Sequence, residues 1–192
     1  MSEALPSVYL VRHGETAWSL SRQHTGRTDI PLTERGERDA LALAPRLAHL
    51  QLQTVLTSPS IRARRTADLA GFGTTAQSEP DLMEWDYGAY EGRRTAEIQA
   101  ERPGWNVFEH GCPGGETLAQ VAARADRVIT RLRTAQGNTA LFAHRDILRV
   151  LAVRWIQLNG IEGRRLYLET ASISILGFDH DRSEPVIRVL NS

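Results

Sequence analysis

At 192 residues, with 41% hydrophobic and 24% charged side chains, the chain is the size of one globular domain and can bury a sizeable core. Its 23 basic residues balance 23 acidic ones, which excludes the strongly basic face of a nucleic-acid binder and a polybasic membrane attachment. Every basic residue is arginine, so Schiff-base chemistry, pyridoxal enzymes and the lysine-dependent phosphate loop are excluded too, and any bound anion must be met by guanidinium groups.

Val8-Tyr9-Leu10-Val11 is a short apolar, β-prone run, expected as a buried strand. From Thr33 to about Leu50 the apolar residues Ala40, Leu43, Ala44, Leu47 and Leu50 recur at helical spacing. Pro45 falls inside that pattern and, lacking an amide hydrogen, should kink or split the helix. Thr54 to Thr57 reads as a second strand. Ser58-Pro59 then offers an N-cap and a first-turn proline, opening a helix that ends near Gly71. Residues 72–92 read as mostly irregular, followed by a short helix over Thr95 to Glu101.

Thr117 to Thr134 carries the clearest helical signal, with a continuous apolar stripe from Leu118 to Leu132 and a capping box between Thr117 and Gln120. Thr139 to Ala143 is a further strand, and Ile147, Leu148, Leu151, Trp155 and Leu158 return to helical spacing. Two β-rich runs, Ser172 to Phe178 and Val186 to Leu190, close the chain. Strands alternating with helices predict the α/β class: a three-layer α/β/α sandwich with a mostly parallel central sheet. No repeat, low-complexity tract or linker interrupts it, so residues 1–192 are expected to form one domain.

Cys112 is the single cysteine, which precludes an intramolecular disulfide and points to a reducing compartment. No apolar run is long enough to span a bilayer, and Met1 to Ser7 is too short and polar for a signal peptide, so the cytoplasm is the expected location.

Ligands of such sheets bind beyond the carboxyl ends of the strands. His13 follows the first strand and His144 follows the strand ending at Ala143. One histidine at a strand end is usually structural; two at equivalent positions, each beside an arginine (Arg12 and Arg145), suggest a site. Arg62 lies in the first turn of the helix after Ser58, where backbone amides also favour an anion. Arg64 and Arg65 read as solvated or ion-paired, and Trp85, Tyr87 and Tyr90 as either pocket lining or packing. His13, Glu15, His24 and Asp29 are metal-ligand types, but no His-Glu-x-x-His or similar spacing occurs, so no metal and no other cofactor is expected.

Five ordered blocks add a resemblance. Leu10-Val11-Arg12-His13-Gly14-Glu15-Thr16, Pro31-Leu32-Thr33-Glu34-Arg35-Gly36 and Ser58-Pro59-Ser60-Ile61-Arg62-Ala63-Arg64-Arg65-Thr66-Ala67 resemble successive signatures of the histidine phosphatase (phosphoglycerate mutase-like) superfamily. Leu82-Met83-Glu84-Trp85-Asp86-Tyr87-Gly88 and Phe142-Ala143-His144 resemble the remaining two. The resemblance implies that His13 attacks phosphorus and carries a transient phosphohistidine. It assigns Arg12, Arg62 and His144 to the equatorial oxygens, and Glu84 to proton transfer with the leaving group and then with water.

It also implies substrate-binding roles for Ser19, Thr25, Gly26 and Arg145, with two departures. Ser19 stands where many members carry Asn, and Arg145 where most carry Gly. Arg145 could reach a second anionic group or point to solvent.

Mutases of the superfamily usually insert a closing segment between the acid block and the later helix, whereas only residues 92–115 lie between them here. Gly111-Cys112-Pro113-Gly114-Gly115-Glu116 also resembles the small sugar-phosphate phosphatases, a sedoheptulose-bisphosphatase branch among them. The expected function is therefore hydrolysis of a small phosphorylated metabolite, a sugar phosphate by preference, with neither nucleic acid nor membrane as partner. A phosphoglycerate mutase and a weakly catalytic phospho-ligand binding module are the alternatives. The oligomeric state is left open, a homodimer being one option.

Overall fold

A computed structural model describes residues 5–192 of the chain, so the expectation drawn on Met1 to Ser7 falls largely outside the described residues. Six strands form one sheet in the order β3-β2-β4-β1-β5-β6. These are β1 (Val8–Arg12), β2 (Leu52–Thr57), β3 (Gln77–Ser78), β4 (Asn138–Ala143), β5 (Ile173–Phe178) and β6 (Pro185–Val189). The first four run parallel; β5 is antiparallel to β1, and β6 to β5. The sheet is therefore mixed, parallel in the half that carries the two histidines.

Both faces are covered, as a sheet with crossover helices requires. Side chains alternate across it. Leu10, Leu141 and Ala143 face a core shared with the long helix α7 (Leu118–Thr134) and with α8 (Arg145–Trp155), while Val11, Ala140 and Phe142 face a second core with Leu43, Leu47 and Ala67. Among the described residues no helix is long and apolar enough to cross a membrane.

Local chemistry explains most boundaries. In the N-terminal half α1 (Ala17–Ser21) precedes the region of Pro45, where the expected long helix divides into α2 (Glu34–Leu41) and α3 (Ala44–Leu47), with Pro45 in the first turn of α3. There the absent N–H costs nothing, because first-turn amides have no intrahelical partner. The capping box at Thr117 and Gln120 is formed.

One boundary differs. Helix α4 (Ile61–Ala67) begins at Ile61 rather than after Ser58, and its N-cap residue Ser60 makes no side-chain cap bond. Asp29 supplies the cap from a distant loop, its Oδ1 accepting from Ile61 N at 3.0 Å, and the Ser58 hydroxyl is committed to His144. The chain leaves the helix register at Gly71, which takes φ 96°, where a side chain would be strained.

The 92–115 segment folds into α5 (Thr95–Glu101) and α6 (Val107–His110), fastened down by buried Ile98, Trp105 and Phe108. It makes one wall of the cleft described below.

The loop after β1 is positioned by a close backbone approach. A Cβ on Gly14 would come within 2.5 Å of Gly36 O, and one on Gly36 would collide with the backbone of Glu15. Thr33 reinforces this contact, its N–H donating to Glu15 O at 2.9 Å and its hydroxyl to Glu15 Oε1 at 2.8 Å. Gly36→Ala should therefore push the loop carrying His13 away from α2. The expected cost is about 1–3 kcal/mol, as for other overpacked sites, accompanied by loss of site activity. A thermal melt and a turnover assay matching wild type would show that the loop yields freely.

Candidate active site

Parallel pairing of β1 with β4 sets Arg12 opposite Ala143, and His13 N donates to Ala143 O at 3.0 Å. The next residue of each strand is a histidine, so the two rings meet with centroids 5.2 Å apart at 60°. Both are buried.

Each ring has a defined tautomer. His13 Nδ1 lies 2.8 Å from Gly14 O, an atom that can only accept, so Nδ1 carries the proton and Nε2 presents its lone pair. Burial, followed by the charges of Arg12 and Arg62, holds its pKa well below the ordinary value, so the ring is neutral. His144 is arranged the opposite way. Arg62 Nε donates to its Nδ1 at 3.1 Å, leaving Nε2–H to donate to Ser58 Oγ at 2.8 Å. Burial and then Arg62 also push the His144 pKa well down.

Arg62 is wholly buried. Besides His144 it donates to the carbonyls of Thr28 (2.9 Å), Thr25 (3.1 Å) and Gly26 (3.0 Å). It thus ties α4 to the 25–28 loop and sets the His144 ring, from behind the cleft. Neither Arg62 nor His144 lines the cleft itself.

The cleft has a volume of about 790 Å³, and His13, Arg12, Glu84 and Arg145 are among the residues that line it. Arg12 NH1 donates to Leu168 O at 2.6 Å, while its buried Nε has no acceptor among the described residues. Burial and the neighbouring charge of Arg145 lower its pKa to about 10, so it remains a cation at neutral pH.

Glu84 enters from the loop before the 3-10 turn at Gly88–Tyr90 and seats on the N-terminus of α8. Its Oε1 accepts from Ile147 N and Trp85 N (both 2.9 Å), and its Oε2 from Asp146 N at 3.0 Å. Those amides favour the carboxylate, but burial and the charge of Asp146 outweigh them and raise its pKa.

The other anticipated residues divide. Ser19, Thr25 and Arg145 line the cleft. Ser19 Oγ is already engaged, accepting from Thr16 N (2.9 Å) and donating to Thr16 O (2.9 Å) in the capping box of α1. Gly26 stands behind the wall, its N–H donating to Glu91 Oε1 at 2.8 Å, where a Cβ would strike Trp85 O. Trp85 and Tyr90 pack in the core, whereas Tyr87 both packs and lines the cleft. Arg65 is ion-paired with Glu37 and Asp68.

These features bring a neutral imidazole, a buried guanidinium group with an unpartnered Nε and a carboxyl group of raised pKa to one cleft. The chain matches the histidine phosphatase superfamily (branch 1) over residues 8–192. It is 43% identical over 175 residues to an acid phosphatase of Mycobacterium tuberculosis, spanning 89% of this chain and 86% of that protein. Identity to the sedoheptulose 1,7-bisphosphatase of Saccharomyces cerevisiae is 35% over 192 residues, spanning 83% of this chain and 70% of the yeast protein. A solved structure of an open reading frame product from Mycobacterium tuberculosis shares the fold with a TM-score of 0.91 at 39% identity, covering 97% of each chain. The chain belongs to the histidine phosphatase superfamily, branch 1.

Three residues at or beside the cleft carry no such role in the sequence. Ser58 reads from sequence as a helix cap, although its place at the end of β2, beside β4, makes it a neighbour of His144 once the strand order is known. Asp146 gives no local signal at all. His24 was weighed as a metal-ligand type only, yet it lines the cleft against Tyr87 and Trp105, with burial lowering its pKa to about 4.

Burial of three neutral histidines makes stability depend on pH. Unfolding restores His13, His24 and His144 to a value near 6.5, so below that pH the unfolded chain takes up protons that the folded one refuses. Their contribution is fully present above about pH 6.5 and is lost as pH falls, at about 1.4 kcal/mol per pH unit for each ring. Glu84 has the opposite sign, since its raised pKa favours the fold below its unfolded value and loses that contribution as pH rises. Three rings outweigh one carboxyl, so denaturant midpoints should drop between about pH 7 and about pH 5.5, with a net linkage of at most about two protons. A midpoint that holds steady across that range would mean the rings protonate in place.

Proposed function

We propose that the site residues divide the work of phosphomonoester hydrolysis as follows. The enzyme is a metal-independent phosphomonoesterase acting on small phosphorylated metabolites through a phosphohistidine. One observation carries the assignment of roles: a neutral His13 with Nε2 presented to a cleft, beside the unpaired Nε of Arg12 and a carboxyl group biased toward its protonated form.

In the first step His13 Nε2 forms a bond to phosphorus as the bond from phosphorus to the leaving oxygen breaks, and Glu84 gives that oxygen its proton. In the second, water attacks the phosphohistidine, Glu84 takes the proton back, and phosphate leaves with His13 restored. Arg12 neutralises the charge on the equatorial oxygens. His144 and Arg62 support the site from behind the cleft rather than by touching those oxygens, with Ser58 and the 25–28 carbonyls holding them in place. Ser19 and Thr25 bound the cleft nearby, and Gly26 keeps the wall close to Trp85. We assign residues 1–192 to one domain, supported by a single sheet and a family match from residue 8 to the end, and place the protein in the cytoplasm on the strength of its lone cysteine.

Sugar phosphates are the preferred substrates in this reading. The yeast relative named for a sugar bisphosphate supports it, as does a cleft wall bearing Thr25, Thr95 and Gln99, which suit hydroxyl groups. Hydrolysis is favoured over mutase chemistry because residues 92–115 are anchored as a wall. A mutase must keep water from its phosphohistidine, which calls for a segment that closes over it.

The decisive experiment follows both products by phosphorus NMR. Phosphate should appear in step with substrate loss, and 3-phosphoglycerate should not convert to its 2-isomer. Isomer formation outrunning phosphate release by about tenfold, roughly 1.4 kcal/mol in relative barrier, would make the protein a mutase. His13→Ala should lose several orders of magnitude in turnover together with an acid-labile phosphoryl adduct; near-wild-type activity would remove it as nucleophile.

Glu84→Gln separates acid catalysis from architecture. A sugar alkoxide needs a proton to leave, whereas p-nitrophenolate leaves without one. The variant should lose at least about tenfold more activity on alkyl phosphates than on p-nitrophenyl phosphate. Equal losses would reduce Glu84 to a cap for α8.

A further inference from the structure

The cleft is more positive than one phosphoryl group requires. Its lining includes four arginines, Arg12, Arg22, Arg94 and Arg145, against one carboxyl group, Glu84, whose raised pKa favours the neutral form. In a chain with no net charge this is a local excess.

Arg145 is the cation whose placement is built. Its Nε donates to Asp146 Oδ1 at 3.0 Å and its NH2 to Oδ2 at 3.4 Å. Asp146 is wholly buried and is itself held from two further sides, Oδ1 accepting from Arg149 NH1 at 2.8 Å and Oδ2 from the Tyr87 hydroxyl at 2.7 Å. Arg149 is fixed in turn by Gly163 O (2.8 Å) and by stacking over Phe108, with 4.7 Å to the ring centroid. One buried carboxylate thus faces two guanidinium groups, and a unit of positive charge is left over. Arg149 is turned into the core side, so the surplus is presented where Arg145 stands, on the cleft wall with its side chain 37% exposed.

It lines the same cleft as His13, Arg12 and His24, where a group joined to the phosphoryl centre by a short skeleton would meet it. Arg22, the C-cap residue of α1, extends the positive wall, while Arg94, the N-cap residue of α5, is paired with Glu97 at 4.0 Å. A bidentate carboxylate grip on the guanidinium also removes much of the entropy that a free arginine loses on binding.

We infer that Arg145, aimed by Asp146, recognises a second oxyanion on the substrate, a carboxylate or another phosphate, and that Asp146 is the positioning residue for this recognition. The inference rests on the phosphatase reading above and deepens it to doubly anionic phosphomonoesters.

The test uses two matched pairs on the purified full-length enzyme. 3-Phosphoglycerate against glycerol 3-phosphate isolates a carboxylate, and fructose 1,6-bisphosphate against fructose 6-phosphate isolates a second phosphate. Wild type should favour the more charged member of at least one pair by about tenfold or more in kcat/KM, chiefly through KM. The favoured pair identifies the oxyanion. Arg145→Gln should collapse that ratio toward unity, its loss on the more charged substrate exceeding its loss on the other. Asp146→Asn should reproduce the collapse with Arg145 intact. Since a buried change there can unfold the protein, a melt accompanies it, and Arg145→Gln decides alone if the fold is lost. Calorimetric titration of the same four compounds into His13→Ala reads the same ratio from affinity, so absence of phosphate release would defeat the phosphatase reading without touching this one. Absence of preference in both pairs, or a ratio that survives Arg145→Gln, overturns the inference; the latter would place Arg145 on the transferred phosphoryl group itself.

Discussion

Everything in the site is referred to one parallel strand pair. β1 and β4 lie side by side in register, and each runs directly into a histidine. Because parallel neighbours end at the same edge of a sheet, two residues separated by more than a hundred positions arrive ring against ring. The hydrogen bond from His13 N to Ala143 O continues the ladder one residue past β1. The His13 backbone is therefore held by the sheet on one side, and the packing of the following loop against Gly36 completes its placement.

Around that pair the structure trades solvation for control of protonation. Burial makes protonation costly for both rings, and Arg12 and Arg62 add like charge against it. His13 thereby keeps a free lone pair on Nε2 without a neighbouring base. The same burial acts in the opposite sense on Glu84, where it favours the protonated carboxyl group. One low-dielectric environment thus prepares a base and an acid, because the charged forms of the two have opposite sign.

The absence of lysine shapes how the site is built. Arg62 spreads donors over His144 and three carbonyls, and Arg145 and Arg149 grip one carboxylate. An ammonium group offers no such planar fork and could not hold α4, a loop and an imidazole together from one buried position. Arg62 accordingly contributes to geometry as much as to charge.

The sequence by itself determined which residues are chemically eligible and where the regular elements lie. The strand before His13, the strand before His144 and the capped helix from Thr117 follow from short-range patterns that act within a few residues. So do the five ordered motifs that point to His13, Arg12, Arg62, Glu84 and His144. Tertiary structure decided what those patterns cannot encode. Whether Ser58 caps a helix or holds His144 depends on β2 lying beside β4, and the cap that α4 does use comes from Asp29, more than thirty residues away. Arg145 could have pointed to solvent on sequence grounds alone; burial of Asp146 between Arg145, Arg149 and Tyr87 turned it onto the cleft wall. Periodicity reports how a residue relates to its own helix or strand, but a pocket is made of distances between elements, and those are set only when the two cores close on either face of the sheet.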